Sequence, residues 1–424
     1  METLQDPTSP QSKAAEWILK ECDAEVPIDP CTPSQLEYNE QRYALAVLYF
    51  SLTGDGWNAG SNSNLDPSAP KGTWMSGLDY CEWGTEISGA NGSYNQLVCN
   101  DEGHVINLNL QSNNLIGSIP PEIGVLSYLT SYISFTNAQS GEIPSTLGYI
   151  TPLETFDVEF NNMDGTLFQE EYMTSLTNLV NWRTSNNNFV GSIPSEIGLW
   201  AKLQNLWFSD NVITGSIPSE IGQLVDMDVL LGYKNQITGS IPSDIGNLDK
   251  MTWIDIEDNQ LNGVIPEEFY TNVELAEVIL RNNSLSGTIS DSVGSLTKVT
   301  TFWVSNNELT GAIPTTFGEL ISLDSLELQN NELSGTIPEE LGSMSAIEIL
   351  ALDQNDLTGT IPSNLFGFSL SKLKILYLND NQLTGALPEN LGGSPRLDSL
   401  KLNDNLLTGT LPIISEGEFL FLSE

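Results

Sequence analysis

One short motif recurs along most of this chain and determines the kind of fold that it can form. The pattern LxLxxNxLxGxIP appears thirteen times, and ten of the twelve intervals between its glycines are 24 residues long. A unit of this length cannot bury its apolar face alone, so neighbouring copies must stack on one another. The sequence therefore predicts an α/β repeat solenoid, which offers a long open surface and not a catalytic cleft.

Each position of the motif has a physical role. In one copy, Leu326 and Leu328 flank Glu327, which is the two-residue period of a strand with one buried face. Asparagine follows where the chain leaves the strand, and its amide can pair with backbone groups of the turn that would otherwise lack partners. This ladder asparagine lies four residues before each glycine, at Asn113, Asn137, Asn161, Asn187, Asn211, Asn235, Asn259, Asn283, Asn307, Asn331, Asn355, Asn381 and Asn405.

The motif resembles the plant-type leucine-rich-repeat family, with LTGAIP at residues 309–314 and LTGTIP at residues 357–362. The resemblance implies a right-handed superhelix with a concave parallel β-sheet, a second row of short strands at TGxIP, and a role in binding. It also implies secretion or a membrane-anchored ectodomain, as in receptor-like kinases, receptor-like proteins and polygalacturonase-inhibiting proteins. Similar repeats occur in algal surface proteins.

The sequence predicts four parts along the chain. They are an N-terminal segment (1–33), a cap (34–104), thirteen repeats (105–412) and the start of a further repeat (413–424). Residues 10–22 and 34–57 have the composition of helices. The run ALAVLYFSLTGDGW, followed by CEW and VC, resembles the N-terminal cap of plant-type repeats. A cap is physically required because the first repeat would otherwise expose the core of the solenoid.

The four cysteines all precede the first repeat and bear on the compartment of the protein. Cys22, Cys31, Cys81 and Cys99 allow three pairings, of which Cys22–Cys31 with Cys81–Cys99 is the simplest. The resemblance to the family cap supports the second of these bonds. Zinc binding is the alternative, although there is no CxxC and His104 is the one histidine. Disulfides and two N-glycosylation sequons, at Asn91 and Asn282, favour the secretory pathway.

Charge limits the partners of the chain. Its 56 acidic and 14 basic residues give a net charge of −42, which disfavours nucleic acid and anionic lipid. We expect a soluble extracellular surface; diffuse divalent-cation binding is the alternative, but no DxDxDG loop is present. No metal or cofactor is expected. Since no signal-peptide pattern or 18-residue apolar run is visible, we expect an anchor or signal to lie outside this sequence.

The candidate ligand-binding residues lie on the expected concave face, where side chains alternate with the buried leucines. Aromatic and apolar residues concentrate in repeats five to nine, and three bases lie beside acids of neighbouring repeats, as Arg183 does beside Asp157. The set is Trp207, Leu231, Tyr233, Trp253, Ile279, Trp303, Arg183, Lys234 and Arg281. Exposed aromatics are frequent anchors of recognition surfaces. Alternatively, these rings stack across strands and stiffen the sheet. Trp182 differs because it occupies an inward position.

These features favour a non-catalytic ectodomain that binds an extracellular protein, peptide or glycan, with a co-receptor as a further partner. A membrane contact would require an anchor that this sequence does not contain. The one histidine, His104, lies at the entry to the first repeat and the cysteines are expected in bridges, so we expect no Ser–His–Asp or Cys–His set. We also expect water to keep Asp157 and Glu159 ionised on an open sheet. A secreted inhibitor or adhesion protein is the alternative. A third hypothesis, an ice- or wall-polymer-binding surface, rests on threonine and serine hydroxyls beside the glycines.

Overall fold

The computed structural model describes residues 6–22, 33–52, 80–82, 87–89, 92–94, 97–367 and 370–410. It divides into two compact units, Met1–Ile213 and Thr214–Glu424. The sequon at Asn91, the cysteine Cys31 of the expected Cys22–Cys31 bond, and residues 413–424 lie outside the described residues.

Two α-helices open the first unit. Helix α1 covers Pro10–Cys22 and helix α2 covers Pro33–Ser51, so the second helix ends earlier than the sequence predicts. Ala14 of α1 packs with Ala46 and Val47 of α2 in a small buried cluster. The side chain of Gln41 accepts a hydrogen bond of 3.0 Å from the backbone N–H of Val105, which joins α2 to the first repeat strand. The helical cap is thereby fixed to the end of the repeats.

A disulfide bond closes the cap, as the resemblance implies. Cys81, in the 3₁₀ turn Tyr80–Glu82, is bonded to Cys99 at the end of the strand Leu97–Cys99. That strand pairs antiparallel with the first repeat strand. Between the two cysteines, strands Ile87–Gly89 and Gly92–Tyr94 form an antiparallel pair. The expected Cys81–Cys99 bond is confirmed.

Parallel strands stack in register in each unit and form its main sheet. In the first unit the repeat strands are Val105–Asn109, Ser131–Ile133, Thr155–Asp157, Asn181–Arg183 and Asn205–Trp207. In the second unit they are Val229–Leu231, Trp253–Asp255, Glu277–Ile279, Thr301–Trp303, Ser325–Glu327, Ile349–Ala351, Ile375–Tyr377 and Ser399–Lys401. The expected parallel sheet of a repeat solenoid is confirmed.

A second row of short strands follows the ladder asparagines, as the resemblance implies. Those of the first unit are Ile116–Gly117, Ala138–Gly141, Asn162–Met163 and Val190–Ser192. Val212–Thr214 follows at the boundary of the units. Those of the second unit are Thr238–Gly239, Gln260–Gly263, Ser284–Thr288, Glu308–Ala312, Glu332–Thr336, Asp356–Thr358, Thr384–Gly385 and Leu406–Leu407.

Short helical segments complete the repeats, mostly after the proline. In the first unit they are the 3₁₀ turns Pro121–Val125, Ser145–Tyr149 and Ser195–Leu199, and the α-helix α3, Glu170–Met173. The α-helix occurs in the repeat with Phe168 in place of proline, where the glycine interval lengthens to 26 residues. In the second unit they are Ser219–Gln223, Ser243–Asn247, Glu267–Thr271, Asp291–Ser295, Thr315–Glu319, Glu339–Ser343, Ser363–Leu365 and Leu391–Gly393.

The core runs between the main sheet and the helical segments. Leu326 and Leu328 are fully buried, which confirms the predicted alternation around Glu327. In the first unit the core is aromatic: Trp182 lies 4.9 Å from Phe156 and 5.0 Å from Trp200, measured between ring centres. The expected inward position of Trp182 is therefore confirmed.

The ladder asparagines bind backbone groups of two successive repeats. The amide nitrogen of Asn307 donates to the carbonyls of Val304 and Ser305 in its own repeat and of Leu280 in the preceding one, at 3.1–3.2 Å. Its carbonyl oxygen accepts from the N–H of Leu285 at 2.9 Å. Both the donor and the acceptor group of this amide thus bind turn backbone, as the sequence predicts.

The repeated glycine is required for two reasons that Gly311 illustrates. Its φ of +80° lies in the left-handed region, which side chains with a Cβ disfavour. In addition, a Cβ at this position would lie 2.8 Å from the Cγ2 of Thr288 in the preceding repeat. Stacking at this spacing therefore leaves no room for another residue.

Candidate ligand-binding face

The residues that alternate with the buried core of each main strand project from one side, which we call the sheet face. In the strand Thr301–Trp303, for example, Phe302 is fully buried whereas Thr301 and Trp303 keep part of their surface. Arg183 and Trp207 lie on this face of the first unit, and six further candidates lie on this face of the second unit, whereas Lys234 follows its strand in the turn. Their contacts differ from those that the sequence suggests.

The first unit contains a cluster of two acids, an arginine and a tryptophan, which we call the Arg183 cluster: Asp157, Glu159, Arg183 and Trp207. Asp157, Arg183 and Trp207 are register partners on adjacent strands. The guanidinium carbon of Arg183 lies 4.1 Å from the centre of the Trp207 ring, a cation–π contact. Among the described residues, no ion pair joins Arg183 to Asp157. The base expected to pair with the acid stacks on the indole instead.

The acids of this cluster have pKa values above the usual range, contrary to what the sequence led us to expect. Burial raises the pKa of Asp157 to about 6, although a hydrogen bond from the N–H of Glu159 and the charge of Arg183 oppose the shift. Burial also raises the pKa of Glu159 to about 7, and the Asp157 charge adds to this effect. The expectation that water freely solvates both carboxylates is wrong, because Asp157 is only 4% exposed, and both acids take up protons closer to neutral pH than exposed carboxylates do. The charge of this face changes between pH 6 and 7.

The second unit contains a related group, which we call the Arg281 cluster: Glu257, Arg281, Trp303, Ser325 and Glu327. Arg281 donates from Nε and Nη2 to the carboxylate of Glu257, so the expected pairing is confirmed. Its Nη1 lies 3.8 Å from the Glu327 carboxylate, and its Cζ lies 4.6 Å from the centre of the Trp303 ring. The Nε1–H of Trp303 donates to Ser325 Oγ at 2.8 Å. The tryptophan and the arginine are thus held in one arrangement.

Asp255 lies beside this cluster and is also desolvated. Burial raises its pKa to about 7; the N–H of Glu257 and the charge of Arg281 oppose the shift, whereas the charges of Glu257 and Asp258 add to it. The sequence DVE at residues 157–159 in the first unit and DIE at residues 255–257 in the second therefore place a titrating acid in the same strand position. In both cases the N–H of the following glutamate donates to the aspartate.

Leu231 and Ile279 are not the exposed anchors that the sequence suggests. Their exposed fractions are 9% and 6%. The register partners of Ile279 are Asp255 and Trp303, whose side chains project from the same face on either side of it. The aliphatic side chains fill the base of the face, and the expectation that they are exposed is wrong.

The remaining candidates keep partial exposure. Trp253 and Tyr233 are half-buried, and the Nζ of Lys234 lies 5.8 Å from the centre of the Tyr233 ring. Lys234 has a φ of +51° in the turn after its strand. Asn282, the sequon asparagine, is half-buried and donates to Asp258 at 2.7 Å. The two stacked tryptophans Trp207 and Trp303 each pack on an arginine, and no pair of rings among the candidates is in stacking contact in the described part of the chain.

Two features of the structure were not predicted from the sequence. The Nζ of Lys401 lies 4.1 Å from the centre of the Tyr377 ring, a fourth cation–π contact. Phe160 is 54% exposed with a φ of +53°, a conformation that bulky side chains disfavour. Most repeats carry Asn or Asp at this place, directly before the ladder asparagine, and that comparison could have identified Phe160 as unusual.

The hydroxyl row behind the periodic-surface hypothesis is engaged within the protein. Thr310 Oγ1 donates to the carbonyl of Gly287, and Thr358 Oγ1 donates to that of Gly335, both at 3.2 Å. Thr384 makes the same bond to Gly359. These hydroxyl hydrogens therefore bind the preceding repeat.

The similarity of this chain to known proteins lies mainly in its repeats. Models described as leucine-rich repeats match residues 104–126, 202–224, 297–357 and 372–394. The repeats are leucine-rich repeats of the plant type. A leucine-rich-repeat relative, MDIS1-interacting receptor like kinase 1 of Arabidopsis thaliana, is 34% identical over 126 residues, which are 30% of this chain and 11% of that protein. In the part that the structure describes, no helix is long and apolar enough to cross a membrane, and no group of His, Cys, Asp and Glu is arranged to hold a metal ion.

Solved leucine-rich-repeat structures match most of the chain. The plant peptide hormone receptor RGFR1 in complex with RGF2 is 33% identical with a TM-score of 0.68, over 72% of this chain and 48% of that one. The PEPR1–AtPEP1 complex is 35% identical with a TM-score of 0.70, over 75% of this chain and 44% of that one. A TDR receptor is 32% identical with a TM-score of 0.68, over 73% and 53%. The chain spans about half the length of these proteins.

Proposed function

We propose that this chain is a non-catalytic, ligand-binding ectodomain of the receptor-like class that takes a peptide on its sheet face. The similarity to a peptide hormone receptor and to PEPR1–AtPEP1 at 33% and 35% identity supports a peptide as the ligand class. The Cys81–Cys99 bond supports an extracellular location, since disulfides persist in oxidising compartments. A co-receptor remains a prediction.

The observation that carries this proposal is the fixed arrangement of the Arg281 cluster. Trp303 is held by its bond to Ser325 and by the stacked guanidinium of Arg281, which Glu257 in turn holds. A ligand that contacts these groups does not have to order them first, so little conformational entropy is lost on binding. Half-buried Trp253, two strands away, extends the aromatic surface.

A peptide suits such a surface better than a rigid polymer does. The face combines flat aromatic area with fixed carboxylates and a guanidinium, and these groups can pair with the N–H and C=O groups of an extended chain. Aromatic and arginine side chains supply most of the binding free energy in recognition surfaces of this kind.

The test is a selection of random linear peptides, displayed on phage, against the full chain. Peptides that bind are synthesised, and their affinity is measured by calorimetry on wild type and on Trp303→Ala. We expect Trp303→Ala to weaken binding by about tenfold or more. Tyr149→Ala is the matched control, because Tyr149 is 71% exposed and lies in a helical segment away from the sheet face.

A second variant separates loss of binding from loss of folding. Arg281→Met keeps an unbranched apolar stem over Trp303 while removing the charge, and circular dichroism melting shows whether each variant folds. Equal affinity of wild type, Trp303→Ala, Arg281→Met and Tyr149→Ala for the selected peptides would exclude this face as the peptide site.

A further inference from the structure

Three consecutive strands in the second unit, the first of them beside the Arg281 cluster, are each followed by an acceptor oxygen without a donor. Gln329 Oε1, Asp353 Oδ1 and Asn379 Oδ1 are buried and accept no hydrogen bond from any described residue. We call these three oxygens the acceptor row. Each belongs to the residue two positions after the end of its strand, and adjacent strands lie about 4.8 Å apart. The three oxygens therefore belong to equivalent positions of three successive repeats.

The donors of the same side chains are already engaged. Gln329 Nε2 donates to Glu327 at 3.3 Å, and Asn379 Nδ2 donates to Asp380 at 2.6 Å. Asp353 and Asn379 are 7% and 6% exposed, so their oxygens cannot be satisfied by bulk solvent without rearrangement. Buried polar groups without partners are uncommon, because each one carries an unrecovered desolvation cost. Only acceptor capacity remains, and a ligand at this row must supply N–H or O–H donors.

The local charge selects a cationic donor. Burial raises the pKa of Asp353, and Asp380 adds to that shift, whereas Lys401 opposes it. Lys401 itself lies over the ring of Tyr377. A carboxylate, phosphate or sulfate would meet acceptors and negative charge here, whereas a guanidinium or ammonium group would meet complementary groups. The net charge of −42 concentrates cations near the whole chain.

We propose that the acceptor row is a subsite for a guanidinium or ammonium group of a basic peptide ligand. The cation donates to Asp353 Oδ1 and to the amide oxygen of Asn379 on the adjacent strand, since one cation can bridge acceptors about 4.8 Å apart. It reaches them when the half-buried side chains of Glu327 and Gln329 rotate away, a motion that surface side chains make rapidly. The proposal rests on the receptor proposal and adds a ligand chemistry to it; Glu327 belongs to the Arg281 cluster, but the oxygens that accept from the cation do not.

The first test uses agmatine, a small molecule with one guanidinium and one ammonium group, titrated into the full chain by calorimetry at low ionic strength. Asn379→Leu removes an acceptor without a change of charge. Asn403→Leu is its matched control: Asn403 also donates to the next aspartate at 2.6 Å, but its oxygen is not part of the acceptor row. We expect Asn379→Leu to weaken agmatine binding by about fivefold to tenfold and Asn403→Leu to leave it unchanged.

The second test separates a built subsite from general attraction by a negative chain. Asp353→Asn and Asp404→Asn change the net charge equally, but only the first alters the acceptor row. We expect Asp353→Asn to weaken binding by about tenfold or more, and Asp404→Asn to weaken it by less than about twofold. Melting curves accompany each variant, and Asn379→Leu is expected to melt at or above the wild-type temperature because it removes an unpaired buried oxygen.

Equal agmatine affinity within each matched pair would overturn the proposal and leave only diffuse attraction. An increase in melting temperature of Asn379→Leu and Asp353→Asn with unchanged agmatine binding would overturn it as well. Because the probe is agmatine and the variants leave Trp303 and Arg281 intact, this outcome is distinguishable from failure of the peptide-receptor proposal.

Discussion

The guanidinium carbon of Arg281 lies 4.6 Å from the centre of the Trp303 ring while two of its nitrogens donate to Glu257. The cation is thus held between an indole face and an acid on the preceding strand. In the first unit Arg183 stacks on Trp207 in the same way, at 4.1 Å, but makes no ion pair with a described residue. The same side-chain pair is therefore more firmly oriented in the second unit.

The stacking of Arg281 on Trp303 should contribute measurably to stability. We expect a double-mutant cycle of Arg281→Met and Trp303→Leu to give a coupling free energy of about 1 kcal/mol, typical of a partly desolvated cation–π pair. The four proteins are compared by urea unfolding. Strict additivity of the two single changes would show that the stacking contributes nothing.

Stability should rise as the pH falls through neutrality. The pKa values of Asp157, Glu159 and Asp255 are raised to about 6–7 in the folded chain, so the folded state binds more protons than the unfolded state in this range. The penalty for burying the charged acids is complete above about pH 7 and disappears toward about pH 4, where the unfolded acids also protonate. We expect the melting temperature to be about 5 °C higher at pH 5.5 than at pH 8.

The control separates these acids from the general repulsion of a chain of net charge −42. Asp157→Asn with Asp255→Asn keeps an acceptor for the backbone N–H of Glu159 and Glu257 but removes both charges. The double variant should be stabilised at pH 8 and should show a flatter dependence on pH. Asp404→Asn, an exposed position, should not. A pH dependence unaltered by the double variant would contradict the assignment.

Substitution of a ladder asparagine should destabilise the fold strongly. Asn307→Ala removes four hydrogen bonds to backbone groups, and we expect the free energy of unfolding to fall by about 3 kcal/mol. Asn330→Gly is the control, since exposed Asn330 has one side-chain bond, to Asn306, and a positive φ that glycine accepts. Its effect should stay within about 0.5 kcal/mol. Chemical denaturation of both variants decides the point, and equal losses would refute the role of the ladder.

Phe160 should be a strained position. Its φ of +53° costs a bulky residue about 1 kcal/mol, which asparagine tolerates better. We therefore expect Phe160→Asn to stabilise the chain by about 1 kcal/mol and the reverse change Asn186→Phe, at φ +58°, to destabilise it by a similar amount. A loss of stability in Phe160→Asn, measured by urea unfolding, would mean that packing of the ring outweighs backbone strain.

Much of the fold can be predicted from the sequence because it depends on local patterns. The repeat length, the asparagine ladder and the inward position of Trp182 depend on periodicity and on the hydrogen-bonding capacity of one amide. The pairing of Arg281 with Glu257 follows because stacked repeats bring the same register position of adjacent strands together.

The parts of the face that the sequence did not predict depend on neighbouring side chains. Alternation shows that Ile279 points away from the core, but its burial depends on the side chains around it, and its register partners on the adjoining strands are Asp255 and Trp303. The raised pKa of Asp157 arises in the same way, from desolvation by its surroundings. Both Trp207 and Asp157 are register partners of Arg183, so the repeat period alone does not predict that Arg183 contacts Trp207 and not Asp157.

The most direct test of the central proposal is hydroxyl-radical footprinting of the full chain with and without a selected peptide, read by mass spectrometry. The account predicts that the peptide lowers modification of Trp253 and Trp303 and leaves exposed Tyr149, in its helical segment, unchanged. Protection of Tyr149 with no protection of either tryptophan would place the peptide elsewhere and contradict the account.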